Sequence, residues 1–287
     1  MRLEFWKLHG CGNDYLYFDV RAGDPGVDWP AAAIKLCDRH FGVGADGIIL
    51  IDSSDTHDAR MHIFNSDGSR SEMCGNGLRA MAKWLFDRGY AGARQAIDTD
   101  AGTLYPEVVE VENGKAVQIR VNMGPPRFQR RAVSRIWDDD RPLLEGVLTA
   151  AGREFTVSLV SMGNPHLIIF GPLWDVDVMA EWGPRLEHHE WFPDRINVHS
   201  VEIQGPHAMA MRHWERGAGL TLACGTGVAA ATAAAMRLGK VSSPVRVIVP
   251  GGVLETSWGG QEGEPIYLQG PAEEVFYGTV DWDAPSH

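Results

Sequence analysis

Two short stretches of the chain place a cysteine beside a glycine-x-glycine, directly before a helix-like apolar run. They read SEMCGNGLRAMAKWL (Ser71–Leu85) and LACGTGVAAATAAAMRLG (Leu222–Gly239). Glycine after the cysteine lets a substrate approach the backbone, and the first N–H groups of a helix are unpaired and favour an anion. A cysteine at such a helix start is therefore predicted to have a lowered pKa, beside N–H groups that can hold a carboxylate.

Internal similarity links the two motifs. The Cys-Gly-x-Gly of residues 74–77 recurs at residues 224–227, 150 positions further on. A Gly-Asn pair at residues 12–13 likewise recurs at residues 163–164. Chance can supply one such pair, but two motifs in the same order at nearly the same spacing predict a duplicated domain.

The sequence between the motifs is rich in strand-like runs. Short apolar segments such as GIILID and HLIIF outnumber the helix-like ones, which are Ala31–His40, residues 176–189 and the run after each motif cysteine. Asn113-Gly114 predicts a tight hairpin within Val109–Val121. Together these patterns predict an α+β fold in which helices are buried against curved sheets.

Composition limits the classes of function. The chain has 287 residues and a net charge of -12, which disfavours binding to nucleic acid or to an anionic membrane by bulk attraction. It has no apolar run long enough to span a membrane and no apolar signal segment, so we expect a cytoplasmic protein with reduced thiols. The four cysteines show no zinc-ligand spacing, and we predict neither a metal nor a cofactor such as pyridoxal phosphate.

The two thiols suggest a specific reaction. If the two halves meet at a cleft, the carboxylate of one amino acid can bind at both helix starts while the sulfurs flank its α-carbon. One thiolate then removes the α-proton, and the other thiol delivers a proton to the opposite face. The helix N–H groups would stabilise the carbanion as its charge moves onto the carboxylate. The paired motifs therefore predict an amino-acid racemase or epimerase that needs no cofactor.

Six ordered segments resemble the diaminopimelate epimerase family. They are KLHGCGNDYLYFD, RHFGVGADGIIL, FNSDGSRSEMCGNGLRA, MGNPHLIIF, WERGAGLTLACGTGVAAA and PGGVLE, and they extend from Lys7 to about Glu255. The resemblance implies two pseudo-symmetric domains, each a curved β-structure wrapped around a central helix. We expect the first to span residues 1–121, joined by a C-terminal strand at about 268–287, and the second to span residues 122–267.

The same resemblance implies an activity. It is the cofactor-independent interconversion of LL- and meso-2,6-diaminopimelate by a two-base mechanism, in the synthesis of lysine and peptidoglycan precursors. It also implies a homodimer that binds a small-molecule substrate and neither nucleic acid nor membrane.

Site residues follow from the resemblance as well. Cys74 and Cys224 match the catalytic cysteines, and His166 and Glu215 match positions that assist them in proton handling. Arg216 is the expected partner of the distal carboxylate, since a guanidinium can grip it bidentately. The implied substrate-binding residues are Asn13, Asn65, Gly75, Asn76, Asn164, Asn197, Glu215, Arg216, Gly225 and Thr226.

Other functions on the same architecture differ at identifiable positions. Proline racemases and hydroxyproline epimerases typically carry His where this chain has Asn76, and phenazine-biosynthesis isomerases lack the paired cysteines. Some family members carry a substrate-contacting Gln where this chain has Gly47, so no side-chain role is assigned there. A redox sensor with a Cys74–Cys224 disulfide would not need Arg216, and an amino-acid binding module would not need two thiols.

Overall fold

The computed structural model describes residues 1–282 of the chain. Its contacts divide into two units, one formed by Met1–Val121 with the segment from Gly270 onward and one formed by Asn122–Gln269. The C-terminal strand expected at about 268–287 includes residues 283–287, which lie outside the described residues. Within residues 1–282, no helix is long and apolar enough to cross a membrane.

The first unit contains nine strands and two helices from its N-terminal segment. They are β1 (Arg2–Gly10), β2 (Asn13–Asp19), α1 (Trp29–Leu36), β3 (Gly47–Asp52), β4 (Ala59–Asn65), β5 (Arg70–Ser71), α2 (Gly75–Asp87), β6 (Ile97–Thr99), β7 (Gly102–Leu104), β8 (Glu107–Glu112) and β9 (Lys115–Asn122).

The second unit follows, and the last strand returns to the first unit. After a short 3-10 turn at Arg130–Ala132, the elements are β10 (Gly146–Ala150), β11 (Arg153–Ser161), β12 (Pro165–Phe170), α3 (Val176–Glu187), β13 (Asn197–Gly205), β14 (Ala208–Glu215), β15 (Gly219–Thr221), α4 (Gly225–Arg237), β16 (Val245–Val249), β17 (Gly252–Ser257), β18 (Tyr267–Pro271) and finally β19 (Glu273–Asp281).

The two units repeat one topology. In the first, the strands lie in the order β19-β1-β2-β3-β4-β6-β7, with β5 on β4; in the second the order is β10-β11-β12-β13-β14-β16-β17-β18, with β15 on β14. Parallel pairs fall at matching places, β2/β3 and β4/β6 in one unit and β12/β13 and β14/β16 in the other. The predicted α+β fold with two pseudo-symmetric halves is confirmed.

Strand register makes individual residues equivalent between the units. Because both units pair their strands in the same way, positions 150 or 151 residues apart occupy matching places in the two sheets. The matching cross-strand pairs that border the sites are Tyr15–Gly47 with His166–Asn197, and Ile49–Ile63 with His199–His213.

One helix lies at the centre of each unit. Every residue of α2 from Gly75 to Leu85 is buried, and α4 is buried continuously from Gly227 to Ala235. The first packs on β1, β2 and β19, and the second packs on β11, β12 and β13. A helix enclosed on all sides needs small or apolar residues around its whole circumference, which the Ala-rich run after Cys224 supplies.

Helix α1 is shorter than its sequence predicted. The pattern indicated Ala31–His40, whereas the helix begins at Trp29, after the capping side chain of Asp28, and ends at Leu36. The Asp38 carboxylate accepts hydrogen bonds from the backbone N–H groups of His40 and Phe41, each at 2.7 Å. Such local side-chain bonding favours a turn over continued helix, which explains the early end.

Two other local predictions are confirmed. The β8–β9 hairpin turns at Asn113 and Gly114, both with positive φ (50° and 76°), as a two-residue turn of this kind requires. Helix α3 occupies Val176–Glu187, inside the predicted helical stretch.

Candidate active site

Cys74 is the N-cap residue of α2. Its sulfur accepts hydrogen bonds from the N–H of Gly77 and from the hydroxyl of Tyr15, each at 3.4 Å. Its thiol can donate to Asn13 Oδ1, also at 3.4 Å. The thiol is partly exposed. Three polar partners therefore fix the sulfur at the start of a buried helix.

Asn13 presents its carbonyl oxygen to this thiol. Its Nδ2 donates to Asp46 Oδ2 at 2.7 Å, and its Oδ1 accepts from Asn76 Nδ2 at 3.2 Å. An ionised carboxylate only accepts hydrogen bonds, so Asp46 determines which end of the amide faces Cys74. Asn76 is fixed in turn, because its Oδ1 accepts from the buried guanidinium of Arg79 at 2.9 Å.

Charged side chains form ion pairs next to Asn13. Asp14 lies 2.8 Å from Lys7 Nζ and 2.7 Å from Arg39 Nη2, and the same guanidinium nitrogen lies 2.8 Å from Asp46 Oδ1. Burial alone would raise the pKa of Asp14, but hydrogen bonds from Arg39 and Lys7 outweigh it and the pKa is lowered. The residues that position Asn13 beside the first thiol are therefore held by ion pairs.

The surroundings of Gly47 leave little space for a side chain. A Cβ at this position would clash with the carbonyl oxygen of Phe64 and would lie 2.9 Å from the ring of Tyr15. The glycine therefore makes room for the Tyr15 ring, whose hydroxyl reaches Cys74. Asn65, across the strand pair from Gly47, donates to the hydroxyl of Ser69 at 2.9 Å.

Cys224 caps α4 at the equivalent place, but it is only 3% exposed. Its sulfur lies 3.7 Å from the hydroxyl oxygen of Thr226. Burial, followed by the charge and hydrogen bond of the Glu215 carboxylate, raises the pKa of the Cys224 thiol well above its ordinary value; Thr226 and the Gly227 N–H oppose this more weakly. The lowered pKa predicted for a helix-start cysteine is wrong here, because loss of hydration outweighs the helix start.

Asn164 and His166 connect to this second thiol. Asn164 Nδ2 donates to Thr226 Oγ1 at 3.2 Å, and its Oδ1 lies 2.9 Å from His166 Nε2. His166 is fully buried, and burial, then His213 and Arg216, lower its pKa to about 3. His166 is therefore neutral at physiological pH and reaches Cys224 through Asn164 and Thr226.

The strand that bears Asn197 holds the start of the Glu215-Arg216 segment in place. Asn197 Nδ2 donates to the carbonyl of Pro165 at 2.9 Å, and its Oδ1 accepts from the backbone N–H of Arg216 at 2.9 Å. The guanidinium of Arg216 is exposed, and its Nη1 lies 3.1 Å from the carbonyl of Asp194. Its charge thus points to solvent, where it can meet an anion.

Each unit gathers its share of the predicted residues around one thiol. The first brings together Asn13, Gly75 and Asn76 with Cys74, while Asn65 lies at the margin. The second brings together Asn164, His166, Asn197, Glu215, Arg216, Gly225 and Thr226 with Cys224.

Sequence reasoning assigned no role to several polar contributors, although some of them lie inside the segments quoted above. Tyr15, Arg39 and Asp46 support the first thiol, and His199 and His213 lie behind His166. The duplication held a signal for one of them, since Tyr15 stands at the repeat position of His166.

One cluster in the described part of the chain has the donor types of a metal site. Donor atoms of His166, His199 and Cys224 lie within 4.8 Å of one another, and two imidazoles with a thiolate suit zinc. The two imidazoles already face each other at 2.9 Å between Nδ1 and Nε2. These side chains could hold an ion only if that hydrogen bond were given up.

The fold with two capped central helices belongs to a known class of structures. A hydroxyproline epimerase from Agrobacterium vitis superposes with a TM-score of 0.70 at 14% identity, covering 99% of this chain and 94% of that one. A phenazine biosynthesis protein of the PhzF family from Bacillus anthracis superposes at 0.68 with 18% identity, covering 98% and 100%. At such identities the likeness establishes the shared fold.

Sequence comparison identifies the family. The family model described as diaminopimelate epimerase matches residues 5–129 and 158–275. The diaminopimelate epimerase of Pelotomaculum thermopropionicum is 43% identical over 283 residues, 98% of this chain and 99% of the relative. That of Leptospira biflexa is 40% identical over 282 residues, 98% and 100% of the two chains. The chain belongs to the diaminopimelate epimerase family.

Proposed function

We propose that this protein interconverts LL- and meso-2,6-diaminopimelate without a cofactor, with Cys74 and Cys224 as the acid–base pair. The observation that supports this most directly is a thiol at the N-cap of each of two buried helices in a member of this family. The reaction serves the synthesis of lysine and of peptidoglycan precursors.

The chemistry needs one group to take a proton and another to give one. A thiolate removes the α-proton, the electron pair of the C–H bond moves towards the carboxylate, and the second thiol protonates the opposite face of the α-carbon. Backbone N–H groups at Gly75, Asn76, Gly225 and Thr226 are suited to bind the carboxylate and to stabilise the added charge. The roles of the two sulfurs exchange when the reaction reverses.

The resting state follows from the surroundings of Cys224. Because burial and Glu215 raise the pKa of this thiol, it is protonated before substrate binds. In the reaction direction that uses this protonation state, Cys224 is the proton donor and Cys74 is the base. The exposed guanidinium of Arg216, held by Asn197 at its backbone, is suited to grip the distal carboxylate.

Deuterium exchange tests this function. The purified protein is incubated under reducing conditions in deuterium oxide with LL-diaminopimelate and no added cofactor. The expected result is meso product that carries deuterium at the inverted α-carbon, detected by mass spectrometry and chiral separation. Absence of both exchange and inversion would refute the proposal.

We also propose that the protein acts in the cytoplasm. Cys11, Cys37 and Cys224 are free thiols, a state that a reducing compartment maintains. Immunodetection in fractionated cells should find the protein in the cytoplasmic fraction, and recovery with the periplasmic or culture fluid would contradict this.

A homodimer is the third proposal, formed through strand β19. This strand ends the sheet of the first unit, and its residues Val275, Phe276 and Tyr277 are 53%, 42% and 50% exposed. An apolar edge strand can add a second copy of itself in antiparallel pairing. Sedimentation equilibrium should give a dimer mass for the native chain and a monomer mass for Val275→Lys with Phe276→Lys. Val253→Lys, at another exposed strand position, is the control that should stay dimeric.

A further inference from the structure

Three histidines form a buried row across the sheet of the second unit. His166 on β12, His199 on β13 and His213 on β14 are all 0% exposed. His166 Nδ1 lies 2.9 Å from His199 Nε2, and His199 Nδ1 lies 3.0 Å from His213 Nδ1. Within residues 1–282, no hydrogen-bond partner lies near the remaining nitrogen, His213 Nε2.

This row is continuous with the thiol site. His166 Nε2 lies 2.9 Å from Asn164 Oδ1, Asn164 Nδ2 lies 3.2 Å from Thr226 Oγ1, and that oxygen lies 3.7 Å from the sulfur of Cys224. A single series of hydrogen bonds therefore extends from Cys224 across strands β12 and β13 to His213 on β14.

The partners determine where each proton lies. Asn164 donates through Nδ2, so its Oδ1 must accept, and His166 carries its proton on Nε2. Its Nδ1 is then an acceptor, which requires a proton on Nε2 of His199. By the same reasoning, His199 Nδ1 accepts from a proton on Nδ1 of His213. All three rings are neutral, in agreement with burial that lowers the pKa of each.

Every donor in this series points towards Cys224. The hydroxyl of Thr226, which accepts from Asn164, is left to donate its own proton to the sulfur. Aligned hydrogen bonds polarise one another in a low-dielectric interior, so the series favours negative charge on the sulfur. The amide of Asn164 has no proton to relay at neutral pH, so the series orients donors and does not conduct protons.

The first unit shows that the fold does not require histidines at these positions. The residues that match His199 and His213 in strand register are Ile49 and Ile63. Both isoleucines are fully buried and apolar, as a strand at the centre of such a sheet normally is. Burying an imidazole is costly, and His213 Nε2 is left without a partner. Two histidines where the first unit has isoleucine therefore indicate a function in the second unit.

We propose that His199 and His213 are positioning residues that hold His166 in its Nε2–H form and thereby keep the Thr226 hydroxyl directed at the sulfur of Cys224. The inference rests on the proposed acid–base role of Cys224. Gly227 belongs to the same arrangement, because a Cβ there would clash with the ring of His199. Their contribution is to stabilise the thiolate of a buried cysteine without placing a positive charge beside it.

Nitrogen-15 NMR tests the proton positions without reference to catalysis. The eleven histidines are labelled, and the three signals are assigned with single-residue variants. We expect His166 and His199 as Nε2–H forms and His213 as its Nδ1–H form. A His166 signal with the proton on Nδ1 would overturn the proposal, whatever the activity of the protein.

Matched variants test the effect on Cys224. His213→Asn keeps a donor where Nδ1 stood, whereas His213→Ile copies the first unit and removes it. The apparent pKa of Cys224, from alkylation rates resolved by peptide mass spectrometry, should rise by about one unit in His213→Ile and return towards the native value in His213→Asn. The ratio kcat/KM should fall about tenfold in the first variant, mainly through kcat, and recover in the second.

Other outcomes separate the two proposals. Equal losses in both variants, with an unchanged Cys224 pKa, would mean that His213 only fills space and would overturn the inference. If the native protein fails to epimerise while the proton positions and the Cys224 pKa behave as expected, the proposed function is wrong and the histidine arrangement stands.

Discussion

Two asparagines at equivalent positions, Asn13 and Asn164, turn opposite ends of their side-chain amides towards the two cysteine sites. Asn13 turns its carbonyl oxygen towards Cys74 because its NH₂ is held by the carboxylate of Asp46. Asn164 turns its NH₂ towards Thr226, beside Cys224, because its carbonyl faces the Nε2 of His166. The sheet places both amides alike, and the second partner of each amide decides which end faces the cysteine. The carbonyl of Asn13 meets the sulfur itself, whereas the NH₂ of Asn164 meets Thr226 Oγ1.

This difference extends to the charge of the supporting residues. The first unit uses charged side chains: the buried Asp14 pairs with Lys7 and with Arg39, and the half-exposed Arg39 also pairs with Asp46. The second uses neutral, fully buried rings. Charged side chains cost little desolvation energy where water still reaches them. Cys224 is only 3% exposed, and beside it a neutral series of donors stabilises the sulfur at a lower desolvation cost.

The largest expected effect comes from removing either thiol. Cys74→Ala and Cys224→Ala should each lower the rate of inversion at least ~1,000-fold, because each direction of the reaction needs both a base and an acid. The measurement is the epimerisation rate by coupled assay or chiral separation. Near-normal turnover in either variant would contradict the proposed two-thiol mechanism.

Acidification should lower the stability of the protein, because its three buried histidines are neutral in the folded state. The pKa values of His166 and His213 are lowered to about 3, and that of His199 is lowered well below its ordinary value, so stability is complete above pH ~6.5 and is lost as pH falls. Each such histidine contributes a slope of about 1.4 kcal/mol per pH unit. The slope of unfolding free energy between pH 6 and pH 4.5, from urea titrations, should decrease by about 2.7 kcal/mol per pH unit in His199→Ile with His213→Ile.

The control for that experiment is a polar change elsewhere. Ser71→Ala, which removes a hydroxyl that donates to the carbonyl of Met73 in the first unit, should leave the slope unchanged. Equal slopes in the native chain and the double variant would mean that the row titrates like exposed histidine.

Arg216 has no basic counterpart at the equivalent position of the first unit. Its position matches Ser66 in the first unit, so only the second offers a guanidinium at this point of the repeat. Arg216→Ala should raise KM about 30- to 100-fold with a smaller change in kcat, as expected for loss of a charge-assisted pair. Arg216→Lys should recover part of this. Unchanged affinity in isothermal titration would remove Arg216 from the distal-carboxylate role.

Tyr15 should show the smallest effect. Tyr15→Phe removes the hydroxyl that donates to Cys74 and should lower kcat/KM about tenfold, because the thiolate loses one donor. Tyr17→Phe is the matched control, since that hydroxyl donates to the carbonyl of Gly77 at 3.0 Å and not to sulfur. If both variants lost activity equally, Tyr15 would be a packing residue and the likeness to His166 would fail.

The sequence predicts the parts of the fold and site that repeat along the chain. The two Cys-Gly-x-Gly motifs, the central helices and the Asn113-Gly114 hairpin depend on neighbours in sequence, so local pattern identifies them. His199 and His213 reach the second site through strand register, which joins residues far apart in the chain and leaves no local motif. Tyr15 lies in a quoted segment, but only the fold shows that its hydroxyl reaches Cys74. The pKa of Cys224 could not be predicted from its helix position, because its burial is decided by packing.

Strand β19 gives the two units different histories during synthesis. It pairs with β1 along its length, from Arg2 opposite Asp281 to His9 opposite Glu273, so the first sheet stays incomplete until β19 has left the ribosome. The second unit is one uninterrupted segment, Asn122–Gln269, with every strand of its sheet available earlier. The half encoded first is therefore completed last, and until then the edge of β1 is open to any other strand that the nascent chain meets.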